Sequence, residues 1–267
     1  MAFWGCSFSF RGVSCRDYGL MIYNIGSGGD AENMFASTVS IEEELVGSHW
    51  KPYFVGVRYQ EKLRVSFTFG VDQDRLDARS FLSRREASEI AAWLTGHDDY
   101  GQLRINQEDM LDYHYKCMCT SLTLLQPDGA PWAFRAEFTC DSPYAYLRET
   151  AATYSVSGTA SAVYDCRTSH NGYISPNVSI SLSSGGSFSI ANAADAGRVM
   201  TFSNVPASVS RIDIDCDKCI ITNDQDLNLY ENFNFQFLRL RRGENNLTFS
   251  GNGAVTISGE FPINIGG

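Results

Sequence analysis

Paired cysteines are the residues of this chain whose types and spacing could carry metal or redox chemistry. The chain has eight cysteines, including the pairs in Cys216–Cys219 and Cys117–Cys119. Four thiolates brought together would bind zinc in a tetrahedron, and two would form a disulfide. The alternating Ile and Asp before Cys216 instead predict a hairpin that turns at Asp217-Lys218, with both of its cysteines as small buried apolar residues. The other pair lies on a predicted strand with its thiols about 7 Å apart, a poor geometry for a zinc knuckle.

Histidines and acidic residues offer a second chemistry, general acid–base catalysis. His97–Asp99 could act as a base with two carboxylates, although a solvated loop explains these residues equally well. Asp72, Asp74, Asp77 and Glu42–Glu44 could supply a glycosidase carboxylate pair or a calcium loop. The DQDRLD stretch lacks the glycine and the final glutamate of a calcium loop, and a glycosidase pair is defined by a separation in space that one sequence does not give. The chain has no serine-hydrolase elbow, phosphate-binding loop or zinc-protease motif. We therefore predict no catalytic, cofactor-binding or metal-binding residue, and no cofactor.

Length and charge narrow the classes of function further. The chain has 267 residues, of which 43% are hydrophobic, and a formal net charge of −10. This length allows one large domain or two ordinary ones, and the acidic balance argues against nucleic-acid binding. The N-terminal residues do not resemble a signal peptide, and no stretch approaches the roughly 18 apolar residues that span a bilayer. We expect no membrane insertion, and thiols that start in a reducing compartment.

Alternating apolar and polar residues predict mostly β-strands. EKLRVSFTFG and PWAFRAEFTC each place every second residue on one apolar face, as half-buried antiparallel strands do. The QPDGA stretch before the second of these supplies turn residues and predicts a hairpin. One segment has helical periodicity instead: Ser83 and Glu86 have the spacing of a capping box, an apolar stripe follows, and Gly96 stands at the C-terminal cap.

The composition changes near residue 150. Residues 151–210 are rich in serine and poor in charge, and they contain the short strand-like runs NVSISLS, SFSIANA and RVMTFSN. Further runs follow to the end of the chain, including IDIDC, FNFQFLRL and NNLTFSG. Closely spaced strands of this kind predict an all-β sandwich or barrel. We predict two domains, residues 1–150 and 151–267.

Four stretches, taken in order, are similar to one family of viral proteins. They are FSFRGVSCRDYGLMI, the helix with the strand that follows it, FTCDSPYAY, and FLRLRRGENNLTFSG after IDID. On these stretches the chain resembles the distal tail proteins of siphophages, which are hub components at the tip of long non-contractile tails. The positions that carry the resemblance are Phe8, Gly12, Tyr18, Gly19, Trp93, Leu94, Pro143, Tyr144, Gly243 and Asn245.

The resemblance implies a fold, an assembly and a set of partners. It implies a mainly β protein, with an N-terminal belt domain (a β-sandwich with one helix) that closes into a homo-hexameric ring and a C-terminal galectin-like β-sandwich. The ring would join the tail tube and tape-measure proteins to the tail-tip hub and receptor-binding proteins. The protein would be made in the cytoplasm of the host bacterium, act in the virion, and have no enzymatic activity.

Two other functions remain open at this stage. A carbohydrate-binding module for host attachment is favoured by the galectin-like architecture and by the aromatic residues Trp4, Trp50 and Tyr173. Fold alone does not establish function, and the matching stretches lack an evident aromatic sugar platform. A glycoside hydrolase acting through Asp72 or Asp74 is the third hypothesis.

Overall fold

The computed structural model describes residues 7–23, 39–59, 62–73 and 81–265. Trp4, Cys6, Asp74 and Asp77 lie outside the described residues. The chain divides into two compact units: unit 1 comprises Met1–Tyr146 and Asn264–Gly267, and unit 2 comprises Leu147–Ile263. The predicted fold class is confirmed, since both units are built mainly of β-strands and the described residues contain one α-helix. The assignment of a ring-forming and a galectin-like domain stays a prediction.

Unit 1 is an antiparallel sheet with one helix and a separate two-stranded hairpin. The sheet has the strand order β3-β6-β9-β8-β7-β1-β2, and β4 pairs only with β5. Its elements are β1 (Ser7–Phe10), β2 (Val13–Ser14), β3 (Leu20–Tyr23), β4 (Val39–Glu44), β5 (Tyr53–Tyr59), β6 (Arg64–Val71), α1 (Arg84–Thr95), β7 (Gly101–Asn106), β8 (Tyr113–Leu125) and β9 (Ala133–Cys140).

Unit 2 contains the remaining strands. Both β11 and β12 pair with the last strand, β14 and β15 continue the ladder beyond β11, and β13 pairs with β12. The elements are β10 (Ala145–Cys166), which begins in unit 1, β11 (Asn177–Leu182), β12 (Gly186–Asn192), β13 (Arg198–Val205), β14 (Arg211–Asp215), β15 (Ile220–Asn223) and β16 (Gly243–Ile263).

The sheet of unit 1 curls over itself around an aromatic core. The ring of Phe8 on β1 lies 4.9 Å from that of Phe67 and 5.0 Å from that of Phe69, although β1 and β6 are not neighbouring strands. Alternation predicts the buried face of β6 correctly. Thr68 is buried as well, although alternation places it on the face predicted to be wet.

The predicted helix is confirmed with its capping box. The Ser83 hydroxyl accepts a hydrogen bond from the Glu86 amide at 3.2 Å, and the Glu86 carboxylate accepts one from the Ser83 amide at 2.8 Å. Ile90 and Leu94 are buried against the sheet core. Gly96 donates its N–H to the Ala92 carbonyl at the helix end. The predicted turn in QPDGA also forms, because β8 and β9 pair across it.

The long strand β16 pairs with β10 and, along its length, with two further strands in turn. Residues 247–250 pair with β12, and residues 253–258 pair with β11. Gly251 and Gly253, with φ of 137° and 153°, lie at the change of partner. A β-carbon on Gly253 would lie 2.0 Å from the Ser181 carbonyl oxygen, so only glycine allows the two backbones to approach this closely.

The FNFQFLRL run does not form the predicted strand. Phe233 makes an isolated bridge to Phe202, and Phe235 has a φ of 57°, which interrupts an extended chain. The Asn234 side chain donates to the Val199 carbonyl and accepts from the Thr201 amide. The segment therefore covers the edge of β13 with side-chain hydrogen bonds instead of a ladder.

Candidate functional site

At its open end, the β4–β5 hairpin has one polar and one apolar face. Across the pair, Ser40 lies opposite Arg58 and Ile41 opposite Val57. The polar face carries an ion pair, in which Arg58 Nε lies 2.9 Å from a carboxylate oxygen of Glu42. On the other face Ile41 is 64% exposed and Val57 is 52% exposed. Within the described part of the chain, this two-stranded sheet pairs with no further strand.

Further exposed apolar residues lie toward the tip of the hairpin, on both of its faces. Trp50, in the connection between the strands, is 87% exposed, and Phe54 is 66% exposed. The exposed apolar residues of the hairpin and its connection are Val39, Ile41, Leu45, Val46, Trp50, Tyr53, Phe54, Val55 and Val57. We call this set the hairpin surface. Isolated two-stranded hairpins are marginal in water, and apolar patches of this kind mark interaction sites.

This surface is not among the sites predicted from the sequence. Its signal is present in VSIEEE and YFVGVRY, where apolar residues alternate with polar ones as in any half-buried strand. Alternation predicts that one face will be covered, but it does not say whether the cover comes from the same chain.

Three of the motif positions meet in unit 1 around Trp93. The Trp93 ring stacks on Phe8 at 5.6 Å and on Tyr18 at 5.0 Å between ring centroids. Its indole N–H donates to the Phe10 carbonyl at 3.2 Å. Gly19, with φ of 68°, ends the short 3₁₀ turn that carries Tyr18. This cluster fixes the helix to the opening strands.

The other motif positions of unit 1 have local structural roles. Gly12 has a φ of 81° in the β1–β2 turn. Leu94 is buried on the inner face of α1. Tyr144 is buried, and its amide donates to the Ser142 hydroxyl at 3.3 Å. Pro143, between Ser142 and Tyr144 in the sequence, is half-buried.

Gly243 and Asn245 lie together at the start of β16. Asn245 is fully buried. Its side-chain oxygen accepts from the Asn192 amide group at 3.0 Å and from the Arg241 N–H at 2.9 Å. Its side-chain nitrogen donates to the carbonyls of Arg241 and Gly243 at 2.7 and 2.9 Å and to that of Tyr164 at 3.4 Å. Asn245 thus joins two strands and a turn.

Tyr173, one of the aromatic residues proposed for sugar stacking, is flanked by arginines. The guanidinium carbons of Arg239 and Arg241 lie 4.1 and 4.8 Å from its ring centroid. Arg239 also holds buried Asp195 through contacts of 2.9 and 2.7 Å. Burial alone would raise the pKa of Asp195, but hydrogen bonds from Arg239 and Tyr173 outweigh it, so the pKa lies below its usual value. Trp50 belongs to unit 1, and the two aromatic residues do not form one platform within a unit.

The prediction that Cys216 and Cys219 are both buried is wrong for one of them. The predicted hairpin forms, with Asp215 opposite Ile220, and Cys216 is buried. Cys219 is exposed, however, because it takes a left-handed φ of 57° at the end of a four-residue loop. Burial raises the pKa of Cys216 to about 12, so this thiol is protonated at neutral pH. Cys117 faces Cys140 across the β8–β9 ladder, and their hydrogen bond, with burial, raises the pKa of Cys117.

The histidine and acidic candidates are dispersed. A ring nitrogen of His97 lies 2.9 Å from the Trp93 carbonyl at the helix end, and the Asp99 carboxylate pairs with Arg11. Across residues 7–23, 39–59, 62–73 and 81–265, no three His, Cys, Asp or Glu side chains are grouped as metal ligands. No helix of the described chain is long and apolar enough to cross a membrane.

Comparison with known protein families identifies the class. Residues 4–142 match the family model of the phage tail protein N-terminal domain, and residues 144–259 match that of the phage tail C-terminal domain. The chain belongs to this family of phage tail proteins. No curated protein sequence matches it significantly.

Solved structures place the fold more closely. The crystal structure of the phage SPP1 Dit protein, described as a paradigm of the hub adsorption apparatus in Gram-positive infecting phages, matches with a TM-score of 0.64 and 10% identity, over 96% of this chain and 99% of that chain. A chain of the phage P2 baseplate, activated with Sr, matches with a TM-score of 0.52 and 9% identity, over 95% and 98% of the two chains. The same baseplate with Ca gives 0.50 and 9%, over 95% and 97%. The resemblance to distal tail proteins is thereby confirmed.

Proposed function

We propose that this protein is a structural adaptor that forms a closed hexameric ring at the distal tip of a long phage tail. In this role the ring joins the tail tube and tape-measure proteins to the tail-tip hub and receptor-binding proteins. The chain would be made in the host cytoplasm and assembled into the virion without catalysing a reaction. The family models, together with a Dit-like fold over nearly the whole chain, support this proposal.

The single observation that carries the ring is the hairpin surface. Its apolar face includes Ile41 and Val57, both more than half exposed, and no described strand pairs with it. A second copy of the chain is the occupant that we propose. A contact between two different surfaces, repeated by rotation, closes into a ring, and each hairpin would then be covered by its neighbour.

The mass of the purified protein in solution tests the proposal. Six chains of 29.6 kDa amount to about 178 kDa in a cyclic hexamer, which light scattering measures directly. Negative-stain images should show a ring with a central channel.

Substitutions in the hairpin surface test the contact itself. We expect Ile41→Glu and Val57→Glu to reduce the mass to that of the monomer, because a buried unpaired carboxylate opposes association, while the circular dichroism spectrum stays unchanged. Val163→Glu, at a residue of unit 2 that is 55% exposed, is the matched control and should leave the ring intact. A ring that persists in both hairpin variants would show that the hairpin surface is not the contact.

A further inference from the structure

A polar groove crosses the outer face of the sheet formed by β15, β14, β11 and β16 in unit 2. Its volume is about 380 Å³. Its lining includes Asn177, Ser179, Arg211, Asp213, Ile220 and Thr256.

Strand register places polar side chains in rows across this groove. Ser179 lies opposite Asp213 on one neighbouring strand and opposite Thr256 on the other, and Asp213 lies opposite Thr222. Side chains directly opposite each other in an antiparallel ladder are about 5 Å apart. The row therefore presents hydroxyl, carboxylate, hydroxyl and hydroxyl groups in sequence across four strands, at a spacing similar to the width of a sugar ring.

The groove is balanced in charge. Arg211 donates from Nε and Nη2 to the Asp213 carboxylate at 3.0 and 2.8 Å. The Asp215 carboxylate accepts from the ammonium group of Lys218 at 2.9 Å. Because each carboxylate has its own cation, the groove offers no excess charge for a polyanion or a metal ion.

Several polar groups in the groove have unused hydrogen-bonding capacity. The side chains of Asn177, Ser179 and Ser258, which all line the groove, make no hydrogen bond within the described part of the chain. An amide and two hydroxyls provide both donors and acceptors. At one end of the groove, the side chain of Ile220 is 46% exposed and offers an apolar edge.

We infer that this groove binds a neutral, polyhydroxylated ligand, namely a segment of an uncharged oligosaccharide. Its hydroxyls would exchange hydrogen bonds with Asn177, Ser179 and Asp213, and one sugar face would lie against Ile220. This binding goes beyond the adaptor role and does not require it, since the groove belongs entirely to unit 2. The aromatic residues considered from the sequence take no part in it.

A printed oligosaccharide array probed with the full-length protein tests this inference. The array carries neutral gluco-, galacto-, manno- and rhamno-oligosaccharides beside uronic-acid and sialylated ones, and calorimetry measures each hit. We expect binding to neutral members. Asn177→Ala and Asp213→Asn should each weaken it about tenfold, the loss of hydrogen bonds to a polar or charged partner.

Two variants outside the groove serve as controls. Asp217, in the β14–β15 loop, and Ser203, on β13, are both exposed. The variants Asp217→Asn and Ser203→Ala should bind the oligosaccharide as the unaltered protein does. Absence of neutral hits, or equal affinity in all four variants, would overturn the inference. Light scattering on the same samples keeps the two proposals apart, because groove variants should leave the ring mass unchanged.

Discussion

Asn245 uses both ends of its side chain inside unit 2, and this places a local stability requirement on one residue. Its amide accepts from Asn192 and donates to the Tyr164 carbonyl, which are 53 and 81 residues away in sequence. A buried polar group that loses its partners keeps its desolvation cost.

We predict that Asn245→Ala lowers the free energy of unfolding of unit 2 by about 2–3 kcal/mol, because several buried groups lose a partner at once. Urea denaturation followed by circular dichroism measures the change. Asn177→Ala is the matched control: Asn177 is exposed, and its loss should cost less than about 0.5 kcal/mol. Equal effects of the two substitutions would contradict this account of Asn245.

At the scale of single residues, the sequence identifies positions that matter more readily than it identifies the contacts that those residues make. Asn245 stands out as a motif position, but its partners are brought to it by strand pairing that no local pattern encodes. Cys219 shows the opposite case. The alternating Ile and Asp before Cys216 predict the hairpin correctly, whereas the exposure of Cys219 goes with its left-handed conformation at the end of the loop.

The change of partner along β16 shapes the architecture of unit 2 at the scale of the element. Residues 247–250 of this strand pair with β12, and residues 253–258 pair with β11. The close approach of Gly253 to Ser181 makes this change of partner possible.

We predict that Gly253→Ala destabilises unit 2 by about 3 kcal/mol or more, since the new methyl group collides with backbone and alanine is strained at this φ. Thermal denaturation and amide hydrogen exchange of residues 177–182 report the damage. Gly259→Ala, on the same strand, meets only ordinary contacts at 3.5 Å and should be nearly neutral. Tolerance of Gly253→Ala would mean that the two backbones separate easily.

Elements with a complete local signal are predictable, and those that depend on partners are not. Helix α1 carries its capping box at Ser83 and Glu86 and its own apolar stripe, so its position follows from sequence alone. The FNFQFLRL run has the alternation of a strand, but Asn234 satisfies the β13 edge through its side chain. Thr68 lies on the face of β6 opposite Phe67 and Phe69 and is buried as well, and alternation alone does not predict that a second face is covered.

At the scale of the whole molecule, the end of the chain returns to the unit in which it began. Unit 1 includes Asn264–Gly267, and Ile265 packs against the core of unit 1. The composition change near residue 150 indicates the first passage between units, but no sequence pattern indicates the second.

We predict that Ile265→Ala lowers the stability of unit 1 by about 1 kcal/mol, the value of a half-buried aliphatic side chain, without changing unit 2. Hydrogen exchange resolved by mass spectrometry separates the two units. Ile220→Ala, at an exposed position of unit 2, should leave unit 1 unchanged. An effect of Ile265→Ala confined to unit 2 would show that the terminal residues do not belong to unit 1.

The two passages between the units also have an evolutionary meaning. Chain enters unit 2 through β10 and leaves it through β16, and these strands are neighbours in one ladder. Unit 2 is thus an insertion whose two ends emerge side by side, as in domains that tolerate transplantation. An exchange, enlargement or deletion of the chain between these two ends would leave the chain path of unit 1 unchanged.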